Sequence, residues 1–183
     1  MIAAYGAMNM EESRHTTQLD KAYGERLLQL CAGMDEWILR LVAYDVDARS
    51  LFFVLRAKFN YKLAFSDIER FVVASGVYLK PRHATQFYAA ADLAQAIGAM
   101  PVSLLSRERR RGIISLQQLE EALLLQQYRL AARCFAESVV SISAAFAYYY
   151  IKRIEFANVI RVTEGVRHSM PRADIESRLL RTR

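Results

Sequence analysis

The chain has 183 residues, of which 54% are hydrophobic and 24% charged, with a formal net charge of +6. That composition excludes a disordered tail and fits one domain with a sizeable core. Seven glycines, three prolines and few β-branched runs, set against abundant Ala, Leu, Arg, Glu and Gln, predict an all-α fold.

The N-terminal stretch has no basic region ahead of its short apolar segment and does not read as a signal peptide. Asn9 with Glu12 three residues on predicts a helix start. Leu19, Tyr23, Leu27, Leu30 and Cys31 then recur at helical spacing up to Gly33. Asp35 is placed to cap a second helix, whose stripe Trp37, Leu41, Tyr44, Ala48, Leu51 and Leu55 runs to Asn60. Ser66 is expected to cap a short helix that ends at Gly76. Val77–Pro81 reads as extended, since proline biases its predecessor away from helix. A helix through Phe87 and Tyr88 follows, then a turn from Asp92 to Gly98. Pro101 suits a first helical position, and Ser115 with Gln118 forms a capping box for a helix from Leu116 into the 130s. A break near residues 137–143 precedes a long last helix, a proline-marked stop and a short closing helix. No Gly-, Ser- or Pro-rich linker interrupts the chain, so residues 1–183 are expected to form a single all-helical domain. One internal echo is visible: Ser50–Lys58 precedes Asp67-Ile68-Glu69, and Asn158–Val166 precedes Asp174-Ile175-Glu176, which suggests a pseudo-repeat of helical units.

Few constellations carry chemistry. Glu12 and His15 have the spacing of a di-iron ligand pair, but such sites need a second copy of the motif and further carboxylates. His15, His83 and His168 lie in separate segments, and Glu164 with His168 reads as a surface ion pair. Cys31 and Cys134 share no metal-ligand spacing and sit in apolar stripes, as reduced core residues of a cytosolic protein do. There is no glycine-rich phosphate loop and no Gly-x-Ser-x-Gly. The most apolar run, Val139–Ile151, is shorter than the roughly 20 residues a membrane helix needs. Neither a catalytic residue, a metal site nor a cofactor is expected, and no small-molecule substrate.

The last third of the chain carries the most information. Glu155 and Asn158 share one face of a stripe that Val159, Val162 and Val166 continue, and they read as an internal polar clasp that fixes helix register. Gly165 allows a close neighbour. Consecutive residues Tyr148, Tyr149 and Tyr150 point in different directions, so they cannot form one base-stacking platform. They suit core packing plus a hydroxyl-rich contact surface. Arg107, Arg109, Arg110 and Arg111 form a basic cluster that reads first as a solvated loop. The basic balance leaves open an alternative, a basic helical nucleic-acid-binding regulatory protein, although no helix-turn-helix pattern is present.

Three stretches together resemble a known family. Thr16–Cys31 resembles the helix that leads into its last repeat. Tyr44–Ile97 resembles its long helix, capped short helix, glycine, extended turn and following helix, here marked by Gly76, Tyr78, Pro81, Ala91 and Asp92. The closing pattern K-x-x-E-x-x-N-(I/V) falls on Lys152, Glu155, Asn158 and Val159, followed by Gly165 and Ile175. The chain is similar to the C-terminal half of V-type/A-type ATPase subunit d, the AC39 family. That resemblance implies packed helical hairpins forming part of a funnel-shaped fold. It implies a non-catalytic central-stalk subunit that couples the shaft of the catalytic sector to the proteolipid c-ring for proton transport. The implied location is peripheral, on the cytoplasmic face of a membrane, vacuolar or of an acidic organelle if the cell is eukaryotic. Shaft and c-ring would be its partners, with no nucleic acid. Candidate contact residues are Lys152, Glu155, Asn158, Arg107, Arg109, Arg110, Arg111 and Tyr149.

Overall fold

The computed structural model describes residues 2–138 and 140–180; of the side chains of residues 2–15 nothing is described. Within it the fold is all-helical, as expected. Four long helices dominate: α1 (Ile2–Cys31), α2 (Glu36–Phe59), α7 (Leu116–Glu137) and α8 (Ile142–Arg167). Between them lie the short α3 (Phe65–Ile68), α4 (Pro81–Ala89), α5 (Leu93–Gly98) and α6 (Arg107–Arg110), and α9 (Arg172–Ser177) closes the described chain.

Side-chain caps set three of the helix starts. Asp35 Oδ1 accepts the Trp37 N–H at 2.8 Å and starts α2. Asp92 Oδ1 accepts from Gln95 N at 2.7 Å and starts α5. Ser115 Oγ accepts from Gln118 N at 3.2 Å, while Gln118 Oε1 accepts from Ile114 N at 2.9 Å, so the return arm of the box lands one residue before the cap.

Four expected boundaries are corrected. Asn9 lies inside α1, which begins at Ile2; the run of helix formers continues through it, so no cap is needed there. Ser66 is the second residue of α3, whose N-cap is Ala64 with no side-chain bond. That helix does not reach Gly76. It tightens into a 3₁₀ turn at Glu69–Phe71, and the chain is extended from Val72 because buried acceptors on α2 take its N–H groups. Pro101 opens only a turn, in which Leu104 and Leu105 N–H both donate to its carbonyl.

Helix α2 is the centre of the packing. Its Tyr44, Leu51, Val54 and Leu55 meet Phe87, Leu104, Leu105, Leu119 and Leu123 in the largest core cluster. Its Ile38, Val42 and Val46 meet Cys31 of α1, and Leu41 meets Ala131, Cys134, Ala147 and Tyr150 of the α7–α8 hairpin. Phe146 packs against the second and third clusters and ties them together. Tyr44 adds a polar tie: its hydroxyl lies 3.0 Å from the Leu104 carbonyl and 3.3 Å from that of Leu123. Both cysteines are buried, as read from sequence, and burial pushes both thiols up.

The internal echo has a backbone counterpart. Lys62 and Ser169 both have φ of +53°, each five residues ahead of the matching Asp67 and Asp174. Each long helix, α2 and α8, therefore stops through a left-handed residue before a short acidic helix. At the second stop α9 folds back so tightly that a Cβ on Gly165 would fall 2.6 Å from Ile175 Cγ1. The stripe Val159, Val162 and Val166 is corrected: all three are exposed, because the face of α8 that packs inward carries Ala147, Tyr150, Ile154 and Gly165 instead.

Gly165→Ala is expected to lower stability by about 1–3 kcal/mol through this overlap, and Ile175→Ala in the same chain should remove most of that penalty. Urea unfolding of the two single variants and the double variant measures it.

Candidate docking surfaces

Two buried carboxylates of α2 organise the region where the long helices meet. Asp45 lies where α2, α7 and α8 converge. Its Oδ1 accepts from Arg153 Nη1 of α8 at 2.8 Å and Gln127 Nε2 of α7 at 3.2 Å. Its Oδ2 lies 2.8 Å from Arg49 Nη2, one turn along α2. The Asp45 side chain is 10% exposed and that of Arg153 31%, so the pair is largely shielded from water. Burial disfavours the Arg153 guanidinium, but the Asp45 charge and hydrogen bond outweigh it and hold the group above its ordinary range. Burial, reinforced by the Asp45 charge, pushes the neighbouring Tyr150 phenol up.

Asp47, two residues on, is fully buried. Its carboxylate accepts from the Ser75 N–H at 2.7 Å, the Ser75 hydroxyl, the Tyr78 N–H at 3.2 Å and the Leu79 N–H at 2.9 Å. Burial raises its pKa while these donors pull the other way. Ser50 Oγ accepts from Val73 N at 3.2 Å. Asp47 and Ser50 together explain why 72–79, with no ladder or helix of its own, holds one extended path.

Beside Asp45 runs a groove of about 900 Å³ between α1, α2, α7 and the loop after α2, with Tyr23, Leu27, Phe52, Phe53 and Leu123 among its apolar walls. Its cations Arg49 and Arg153 bind Asp45, Arg56 pairs with Glu120 at 3.0 Å, and Lys21 pairs with Glu25 at 3.4 Å. No unbalanced cluster of positive charge faces into it among the described residues.

The residues singled out from sequence separate into different roles. Asn158 is a clasp: its Oδ1 accepts from Leu180 N at 2.8 Å and its Nδ2 donates to Leu180 O at 3.0 Å, tying the end of the chain to α8. Glu155 is not part of it. It is exposed and pairs with Lys152 at 2.6 Å on the outer face of α8; three residues along a helix carry a side chain about 60° away from its starting direction, enough to move Glu155 off the clasp face. The Glu155 hydrogen bond raises the Lys152 pKa. Tyr149 is exposed and Tyr148 likewise, whereas Tyr150 is buried, as their divergent directions require.

The arginine cluster is less free than a solvated loop. Arg110 Nε donates to the Leu105 carbonyl at 2.7 Å, and its Nη1 lies 3.4 and 3.3 Å from the Ile97 and Gly98 carbonyls, closing the end of α5. Arg109 donates to Gln126 of α7. Arg107 and Arg111 stay exposed. Glu164 pairs with His168 at 3.5 Å and with Arg167 at 3.4 Å. His83 caps its own helix, accepting from Lys80 N at 2.9 Å, and burial followed by Arg82 and Lys80 lowers its pKa. The Glu12 and His15 side chains lie outside the described residues. Among the described residues no group of three or more His, Cys, Asp or Glu could hold a metal, and no helix is long and apolar enough to cross a membrane.

Sequence reading missed Asp45, Asp47 and Arg153. The signal was present in Asp45-Val46-Asp47, two acids within an otherwise apolar stretch of α2, where a solvated face was not available to both.

The described residues form a helical scaffold in which Asp45, Asp47 and Asn158 hold separate segments together. The sequence profile of the ATP synthase (C/AC39) subunit family matches residues 3–178, and the chain belongs to that family. No curated protein and no solved structure matches it significantly.

Two measurements separate the roles assigned here. A double-mutant cycle on Asp45→Ala and Arg153→Ala should give a coupling energy of about 1–3 kcal/mol. Asn158→Ala should destabilise by about 1–2 kcal/mol, since it orphans both backbone groups of Leu180, while Glu155→Ala should leave the urea midpoint unchanged.

Proposed function

We propose that this chain is a non-catalytic central-stalk subunit of a V/A-type rotary ATPase, seated peripherally on the cytoplasmic side of the membrane and coupling the shaft of the catalytic sector to the proteolipid c-ring. The family match over residues 3–178 carries the reading. The build supports it. A torque adaptor must resist internal twist, and close-packed long helices do so. Asp45 ties α2 to α7 and α8 across 82 and 108 residues of sequence, so rotation of one long helix against another breaks a shielded charge pair.

The surfaces suit contact with two partners. Arg107 and Arg111 are exposed at one bend of the chain, and Tyr148 and Tyr149 are exposed on α8. The nucleic-acid alternative is disfavoured because Arg109 and Arg110 bind within the chain, leaving half of the cluster for phosphates.

The test is reconstitution. With the rest of the rotary complex present, the chain should co-purify with its shaft and proteolipid components. Complexes lacking it should hydrolyse ATP without matching proton uptake into vesicles. Equal proton pumping with and without the chain would overturn the proposal, as would a duplex gel shift at physiological salt together with failure to join the complex.

A further inference from the structure

Helices α1 and α7 both pack on α2, yet they barely touch each other. The gap between them is the groove of about 900 Å³. It follows α2 from Asp45 to Ala57, a rise of roughly 18 Å. Phe52 and Phe53 floor it, Tyr23 of α1 lines one wall and Leu124 of α7 the other. Tyr61, beyond the end of α2, lines it as well. The rings at its rim stand in water: Tyr23 is 57% exposed and Tyr61 69%. Three helices around an open apolar channel lack the fourth of a bundle, so the shape fits one more helix laid along α2.

Charge decides what kind of helix. Among the described residues, every cation that lines the groove is engaged: Arg49 and Arg153 by Asp45, Arg56 by Glu120 and Lys21 by Glu25. Two carboxylates that line it are not. Asp20 of α1 and Asp67 of α3 form no side-chain hydrogen bond or ion pair among the described residues. They belong to the same side of the groove, since α1 packs on the 3₁₀ turn Glu69–Phe71 that continues α3.

We propose that this groove binds one basic amphipathic helix of a partner protein, with its apolar face on Phe52, Phe53 and Tyr23 and its lysines or arginines against Asp20 and Asp67. An acidic helix would set carboxylates against those two aspartates and find no free cation to offset them. Arg49 and Arg153 share the single Asp45 carboxylate, so that end keeps one positive charge, which suits the negative C-terminal end of a helix dipole. The occupant therefore runs antiparallel to α2. The net charge of +6 opposes a basic helix over the molecule as a whole, so a preference for one belongs to the groove. That the helix comes from a component of the rotary complex rests on the function proposed above; the preference itself does not.

Two labelled peptides of about 18 residues test this by fluorescence anisotropy with the full chain. Both carry one leucine face; one has lysines along its edges and the other glutamates. The lysine peptide should bind at least about tenfold more tightly. Asp20→Lys combined with Asp67→Lys, both at exposed positions, should invert that preference. Tyr23→Ala should weaken the lysine peptide several-fold while the circular dichroism stays that of the parent. No binding of either peptide, equal binding of both, or a preference unchanged by the charge reversal overturns the proposal. So does a dimer of the parent chain that Tyr23→Ala breaks, which assigns the groove to a second copy. If the chain fails to join the rotary complex but the peptide preference holds, the function proposed above falls and this site stands. If the chain joins and the preference is absent, only this site falls.

Discussion

The Asp45 carboxylate is the constraint on which the arrangement of long helices depends. Hydrophobic stripes alone would let α7 and α8 slide along α2, because leucine and alanine surfaces tolerate several registers. A shielded carboxylate does not. It must find Arg153 and Gln127 together, and only one register of the α7–α8 hairpin supplies both. Burying the pair adds little net stability, since desolvation offsets attraction, but removing Asp45 would leave the partly buried Arg153 without its carboxylate. Its contribution is specificity of arrangement. Asp47 applies the same logic to an irregular segment, replacing a ladder with one carboxylate that collects the hydrogen bonds of 75–79.

This division of labour explains what could be read from sequence. Helix existence follows from spacing and caps, both local. Asp35, Asp92 and Ser115 act within three residues of their own position, and all three were legible. Boundaries set by distant partners were not. The extended path after Phe71 is dictated by Ser50 and Asp47, some two dozen residues earlier, and nothing inside Ser66–Gly76 announces that. Likewise Asn158 was recognisable as an unusual amide, and its partner was the backbone at Leu180 rather than the neighbouring Glu155.

The stripe on α8 shows the limit of periodicity most clearly. An apolar repeat establishes that a face is apolar, and leaves open whether the chain itself covers it. The apolar residues of α2 pack on α1, α4, α7 and α8, apart from Phe52 and Phe53, which line the groove. In α8 the inner direction is covered and the outer one is not. The echo between α2 and α8 extends to left-handed residues at Lys62 and Ser169 beyond their ends, while the packing around the two helices differs. This member of the ATP synthase (C/AC39) subunit family thus combines a packed interior with one long helix whose outer face is apolar and exposed.

Native-state hydrogen exchange tests the central claim most directly. If the Asp45 brace makes the long helices one unit, the slow amides of α2, α7 and α8 will open with a common free energy, and Arg153→Ala will lower all three together. Separate opening of α8 at a lower free energy in the parent chain, with α2 and α7 untouched by Arg153→Ala, would contradict it.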